Sequence, residues 1–502
     1  MRTEPVPSPD RASELIAPEL SRPAAPAPRR IWYLPASLAL LLPCYWQPRI
    51  QAGDLSSHIY NAWLAGLIEG GRTEGLTIAR QTTNILFDLI MGVLFRWLGA
   101  DWAQRLAVST TVLVFVWGAF AFVSAISGRK AWPILPCLAM LAYGWVFHIG
   151  FFNFYLSLGL CFWGLALAWN SRPSRLAVTA IFFVVAYTAH ALPVAWALGL
   201  LAYLWLARRL PERVRPRLMA GVLVLLMAAH VVVRRAMVSV WSVTQLSSAV
   251  GGDQAWVFDG KYYVLMALLL MIWAALFFDL LRAQGGRAIA SSIPLHWCAL
   301  SAAGIFILPS TVLIPGYQHA MVYIAERMSL AVGVCVCGLL AAAPARKVKQ
   351  VALCAVAAVF FAFLFRDDRT LNRFEDRVDQ AVAQLPPGTR VVSPIIDPSL
   401  RADALTHMVD RACIGRCYSY ANYEASTAQF RIHVVKPNSF VVADYGDSWN
   451  LQNGKYVVKA SDPPLVGLGV SDDGEVTAHS LQAGALSGPS LWWVLGNQRP
   501  PR

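Results

Sequence analysis

The chain has 502 residues, 57% of them hydrophobic and 14% charged, with a net charge of +13 and 19 tryptophans. A soluble globular protein has about a quarter of its residues charged, so a purely water-soluble protein is excluded and a membrane protein is expected. The surplus charge is uneven: residues 1–365 hold 28 Lys and Arg against 14 Asp and Glu, whereas residues 366–502 hold 14 against 15. Nucleic-acid binding, the usual alternative for so basic a chain, needs a basic solvated face with stacking aromatics. Here the arginines punctuate apolar runs, so no nucleic-acid partner is expected.

Residues 1–30 are rich in Pro and Ala, carry five Arg and lack the cleavage site of a signal peptide, which reads as a disordered cytoplasmic tail. Apolar runs of membrane-spanning length follow, at about 31–47, 106–127, 131–148, 151–170, 176–189, 191–207, 218–233, 262–281, 288–314, 328–344 and 348–365. They predict a polytopic α-helical membrane protein with about 11 transmembrane helices over residues 31–365, including an amphipathic outer loop at 48–105.

The connections alternate in charge. Segments 128–130, 171–175, 208–217, 282–287 and 345–349 hold 14 Lys and Arg in 29 residues, and the alternate loops with their flanks hold nine. Basic loops stay on the cytoplasmic side. The N-terminus is therefore expected inside a cytoplasmic membrane, and an odd number of crossings puts residues 366–502 outside.

That last segment reads as a small extracytoplasmic α+β domain. Residues 371–385 have helical spacing and stop at Pro386-Pro387-Gly388, while 390–396, 440–445 and 455–458 are β-rich runs between turn residues. Seven of the nine cysteines lie in apolar runs, where a small buried hydrophobe is the simple reading. Cys413 and Cys417 stand apart; an oxidising compartment favours a disulfide over free thiols, and two cysteines without a nearby histidine make a poor zinc site. No fixed-period repeat and no Walker, Rossmann, HExxH or nucleophile-elbow motif occurs.

The most informative stretch is Asp54-Leu55-Ser56-Ser57-His58-Ile59-Tyr60-Asn61 and its continuation to Glu69. At about 100° per residue, Asp54, Ser57, His58 and Asn61 share one face, with Leu55, Ile59, Ala62, Trp63 and Leu67 opposite. This predicts an amphipathic helix about 24 Å long lying on the outer membrane surface. Asp54 also suits the N-cap of that helix, worth about 1 kcal/mol, so the residues alone allow a capping or a chemical role.

A short first hydrophobic helix, an acid directly after it, an amphipathic loop helix and the run from Asn84 to Leu98 together resemble the GT-C fold glycosyltransferases. The bacterial membrane mannosyltransferase, aminoarabinose-transferase and RgtA-like branches are the most similar. The resemblance continues through Trp97-Leu98-Gly99-Ala100, Arg105 and Tyr187-Thr188-Ala189-His190-Ala191-Leu192, covering about residues 31–207. The family often has two consecutive acids where this chain has Asp54-Leu55, which makes Asp88 the candidate second carboxylate.

The resemblance implies transfer of a sugar from a polyprenyl-phosphate carrier to an acceptor glycan, lipid or protein on the outer face. The acceptor hydroxyl must lose a proton to a general base, and the departing lipid phosphate needs cationic or hydrogen-bonding partners. Asp54 is the expected base, with His58 beside it as a second catalytic candidate. Asn61, Asp88, His148, His190, His319, Glu326 and Arg327 are the expected substrate-binding residues. Arg49, Arg72, Arg80, Arg234 and Arg235 are further cationic candidates, each equally readable as an anchor to membrane lipids. Asn153, Trp145 and Tyr155 are candidates to line a sugar groove. His58, His148, His190, His319 and Asp54 offer ligands for a divalent metal, but they come from separate segments and form no spacing motif, so no cofactor is assigned beyond that candidate.

Two rival readings stand. A transporter or flippase for a lipid-linked saccharide would carry charges within its helices, whereas here only Asp88 and Asp279 are acids near span interiors. A non-catalytic scaffold would use residues 366–502 for binding. The predicted orientation has a direct test: a cysteine introduced into loop 208–217 should resist an impermeant maleimide applied to intact cells and react after permeabilisation. Labelling from outside would overturn the orientation.

Overall fold

The computed structural model describes residues 30–169, 173–344, 346–471, 473–488 and 490–491. The predicted tail lies outside these residues except for Arg30. Helix α1 (Tyr33–Leu41) is followed by the loop helix α2 (Leu55–Glu69) and by α3 (Leu86–Ser127). Then come α4 (Leu135–Ala142), α5 (Trp145–Ile149), α6 (Phe152–Ala168), α7 (Pro173–Ala189), α8 (Ala191–Ala207) and α9 (Arg215–Ala236). The helical part continues with α10 (Gln245–Ser248), α11 (Tyr262–Gln284), α12 (Gly286–Ala290), α13 (Ile293–Ile307), α14 (Ile324–Leu340) and α15 (Lys347–Ala383).

Each predicted apolar run contains a helix. Among the described residues, five helical stretches are long and apolar enough to cross a membrane: Leu86–Ser127, Trp132–Ile149, Glu212–Ala236, Tyr262–Gln284 and Lys347–Ala383. Five shorter apolar helices accompany them. The chain is a helical membrane protein.

Local chemistry sets several helix ends. The Ser292 side chain accepts from the Leu295 nitrogen to cap α13, and His190 caps α8 by accepting from the Leu192 nitrogen. Helix α3 is interrupted at Gly99, whose φ of 75° breaks the helical path. Run 131–148 divides into α4 and α5 at Tyr143-Gly144, where a Cβ on Gly144 would meet the Gln254 carbonyl oxygen at 2.8 Å.

Small sheets complete the fold. Strand β1 (Leu76–Ile78) follows α2, and β2 (Val238–Val240) pairs antiparallel with β3 (Thr311–Leu313). Run 288–314 therefore holds the end of α12, all of α13 and β3 rather than one helix. After α15 come β4 (Arg390–Val392), β5 (Ile395–Ile396), α16 (Met408–Cys413) and β6 (Tyr418–Ser419). The C-terminal part continues with α17 (Tyr423–Thr427), β7 (Ile432–Val434), α18 (Tyr445–Gln452), β8 (Leu465–Val470) and β9 (Val476–Leu481). The main sheet has the order β6-β4-β8-β9, and it packs Val392, Tyr420, Val442, Leu451 and Leu465 into a core of its own. Cys413 and Cys417 are joined in a disulfide.

Four expectations need correction. Helix α2 does not lie open on a surface: ten of its 15 residues are buried, because α3 and α16 both pack against it. The boundary at 365/366 falls inside α15, which runs unbroken because Arg366 to Ala383 keeps apolar residues Leu371, Phe374, Val378 and Val382 at helical spacing, all buried. Residues 440–444 form no strand; Asp444 instead caps α18 by accepting from the Asp447 nitrogen. Residues 455–458 contribute only an isolated bridge, Val457 to Leu486.

The segment before α2 is bolted to α15. Trp46 donates to Asp368 at 3.0 Å, while Asn372 accepts from the Arg49 nitrogen at 3.0 Å and donates to its carbonyl oxygen at 3.1 Å. The Arg49 guanidinium pairs with Asp376 at 2.7 Å and with Asp379. At the centre lies Glu375, fully buried, which accepts from Gln51 at 2.7 Å and sits 3.4 Å from Arg411 of α16. Removing one member of a buried ion pair leaves an uncompensated charge, at about 3–5 kcal/mol. Glu375→Ala should therefore lower the thermal unfolding midpoint of the purified protein far more than Asp376→Ala, whose side chain is 54% exposed; equal midpoints would refute the buried junction.

Candidate functional site

Asp54 reaches its position through two tight backbone approaches. The Gly53 nitrogen donates to the His148 carbonyl at 2.8 Å and the Asp54 nitrogen to the Ile149 carbonyl at 3.1 Å. Gly150 turns the α5–α6 corner at φ 93°, and a Cβ there would stand 2.4 Å from the Asp54 nitrogen. A Cβ on Gly53 would stand 2.3 Å from the Asp403 carbonyl oxygen. Helix α2 thus begins where the α5–α6 corner and the 403 loop nearly touch it. Asp54 occupies the N-cap position, but its side chain makes no capping hydrogen bond; the carboxylate, 27% exposed, faces a cavity.

This cavity has a volume of about 650 Å³. One wall comes from Asp54, His58, Asp88 and the α5–α6 corner with Phe151, Phe152, Asn153 and Phe154. A second comes from residues 313–327, where the Gln318 and His319 nitrogens donate to the Gln429 side-chain oxygen at 3.0 and 2.6 Å. The third is contributed by Thr406, His407, Tyr423, Glu424, Arg431 and Tyr445. Strand β1 pairs antiparallel with β7, Leu76 opposite Val434, so the loop after α2 is zipped to this third wall.

Two histidines are held alike. His58 Nδ1 lies 2.6 Å from Asp88, whose other oxygen accepts from Asn153 at 2.7 Å. His407 Nδ1 lies 2.9 Å from Asp410, which accepts from the Ser419 hydroxyl at 2.5 Å. Burial opposes a charged imidazole, but Asp88 more than offsets it at His58 and Asp410 does so at His407, lifting each to about 9. Burial pushes the Asp54 carboxyl above its ordinary range, while His407, His58 and Arg327 pull it back. Glu424 is raised to about 7 by burial and by Asp88 and Asp54, against the pull of the two histidines. His319 is pushed down to about 4 by burial, with Arg327 adding to the effect. The Arg327 guanidinium stacks 3.7 Å over Phe151, and its Nε is buried without a hydrogen-bond partner among the described residues.

Of the residues singled out in the sequence, Asp54, His58, Asp88, His190, His319 and Arg327 line the cavity. Three others do not. Asn61 is buried, donating to Ser57 at 3.2 Å and accepting from Asn422 at 2.7 Å, which ties α2 to α17. His148 is 2% exposed and donates to the Gln51 carbonyl. Glu326 is buried and accepts from Ser310 and Thr244. Asp88 is occupied by His58 and Asn153, so it serves as a holder of His58 and not as a free second carboxylate. Of the groove candidates, Asn153 lines the cavity, whereas Trp145 and Tyr155 are buried, donating to the carbonyls of Arg401 and Ala142. Arg49 is ion-paired at α15, and Arg72, Arg80, Arg234 and Arg235 are exposed away from the cavity. No group of three or more His, Cys, Asp or Glu able to hold a metal occurs among the described residues.

Sequence reasoning missed His407, Glu424 and Arg431, which lie some 350 positions beyond α2. The available signal was compositional: His407 and Asp410 stand three apart, a spacing that brings side chains together on a helix turn.

Comparison of the chain with family models, with curated proteins and with solved structures found no match.

The Glu424 shift makes a signed prediction. Its carboxyl titrates higher in the folded protein than the ordinary value of about 4.3, so its contribution to stability is present at low pH and lost as pH rises through about 7. Glu424→Gln should raise the thermal midpoint at pH 8, on the order of 2 °C, with little change at pH 5. An equal shift at both pH values would contradict the assignment.

Proposed function

We propose that the protein is a membrane glycosyltransferase of GT-C type with eleven crossings, its N-terminus inside and residues 366–502 outside. It moves a sugar from a polyprenyl-phosphate carrier to an acceptor hydroxyl, with Asp54 as general base. One observation carries this reading: a carboxylate free of any capping bond shares a cavity of about 650 Å³ with a guanidinium whose Nε has no hydrogen-bond partner among the described residues. Carboxylate and guanidinium answer the two charge requirements of the reaction. As the acceptor oxygen attacks the anomeric carbon, its proton passes to Asp54; as the bond from that carbon to the phosphate oxygen breaks, negative charge grows on the phosphate, which Arg327 is suited to meet. Phe151, the part-exposed ring of this wall, offers an apolar contact of the kind a prenyl chain needs. Ionisable side chains from separate segments, Asp54, His58, Arg327, His407 and Glu424, converge on this cavity, which favours an enzyme over a transporter or flippase.

The test uses the full-length protein in lipid nanodiscs with a panel of polyprenyl-phosphate hexoses and pentoses, reading release of polyprenyl phosphate by mass spectrometry. Turnover is expected with at least one donor, falling by about 10²–10⁴ in Asp54→Asn. Absence of release from every donor, or full turnover by a folded Asp54→Asn protein, would overturn the reading.

A further inference from the structure

We propose that His407 is the positioning residue of Asp54: the C-terminal segment supplies an imidazole, itself held by Asp410, that keeps the Asp54 carboxylate ionised and aimed into the cavity. The catalytic sense of this proposal rests on Asp54 being the base; the pairing itself does not.

Its geometry is directional. His407 Nδ1 faces Asp410 at 2.9 Å, which turns Nε2 towards Asp54 at 3.9 Å. At that separation the contact is an ion pair and not a hydrogen bond, leaving the Asp54 oxygens open to a substrate hydroxyl. Asp410 is committed on both oxygens, one to His407 and one to Ser419. The His407 ring packs 5.6 Å from that of Tyr423 and its side chain is 12% exposed, so it has little freedom to rotate away.

Three ties register this relay against α2. Arg411 donates to the Ile50 carbonyl at 3.1 Å and to the Ser56 hydroxyl at 2.8 Å. The Ser419 nitrogen donates to the Tyr60 hydroxyl at 3.1 Å. The Cys413–Cys417 disulfide closes the turn between Asp410 and Ser419, the two residues that bond each other. The relay and the head of α2 therefore form one assembly although they are some 350 residues apart in the chain.

The electrostatic need is specific. Asp54 is crowded by protein and also faces the acid Asp403, both of which favour its neutral form. His407, His58 and Arg327 are the cations that face it in return. His58 is engaged by Asp88, and Arg327 is the group suited to the departing phosphate. His407, facing Asp410, Asp54 and Asp403, is the one of the three that, among the described residues, comes within 4 Å of an Asp54 oxygen.

Histidine C2-hydrogen exchange read by mass spectrometry, on the full-length protein between pH 5 and 10, follows His407 without any substrate. The wild-type midpoint should lie near 9, falling by about one pH unit or more in Asp54→Asn and in Asp410→Asn, with an unchanged near-UV circular-dichroism spectrum as the control for folding. A wild-type midpoint near 6.5, or one that ignores Asp54→Asn, would overturn the pairing. In the polyprenyl-phosphate assay, His407→Gln should move the acid limb of the pH–rate profile upward by about one unit and lower kcat with little change in KM, and His407→Lys should restore the limb. An unmoved limb in His407→Gln would overturn the positioning role, whereas exchange coupling without turnover by the wild type would overturn the proposed function and leave the pairing standing.

Discussion

Glu375 is a fully buried carboxylate flanked by Arg49 and Arg411 and bonded to Gln51. Its three neighbours come from the segment before α2 and from α16, so this one acid makes the head of the loop helix and the C-terminal segment share a position. A charge in so dry a place is tolerated only with close partners, and satisfying it fixes where residues 49–51 and 411 must be. Asp54 follows three residues after Gln51, and His407 precedes Arg411 by four. The two sides of the cavity are therefore set by a charge that does not itself line it.

The helices were legible because an apolar run of some 20 residues has few other fates, and each such run holds one. Their interruptions were not, since Gly99 and Gly144 act through backbone geometry that hydropathy does not register. Helix α2 was recognised from its 3.6-residue pattern, yet its polar stripe met protein instead of solvent. Asn61 on that stripe, like Ser56 next to it, is equally compatible with water and with partners such as Asn422 and Arg411. Run 440–445 shows the same ambiguity in strand form: Val441 and Val442 bury in a core without pairing in a sheet, and Asp444 starts a helix.

At the site, residue types were more legible than their duties. Asp54, His58, Asp88, His190, His319 and Arg327 all line one cavity, because acids and histidines near apolar helix ends have few places to go. What each one bonds depends on neighbours far away in sequence. Asp88 belongs to His58 and Asn153, Glu326 to Ser310, and Asn61 to Asn422. The same logic hid the third wall, since nothing local marks His407 or Glu424 as companions of residues near position 54.

Helix α15 runs for 37 residues from Lys347 to Ala383, about 55 Å at ~1.5 Å per residue and nearly twice a hydrocarbon core of ~30 Å. Its first half is apolar and its second carries Asp368, Asn372 and Glu375, so one rigid rod bears both the membrane-crossing stretch and the anchor of the cavity. With no linker between them there is no slack for the C-terminal part to swing like a lid. The cavity is thus hung from one continuous helix, and its second wall is tied to the same C-terminal part where Gln318 and His319 bond Gln429.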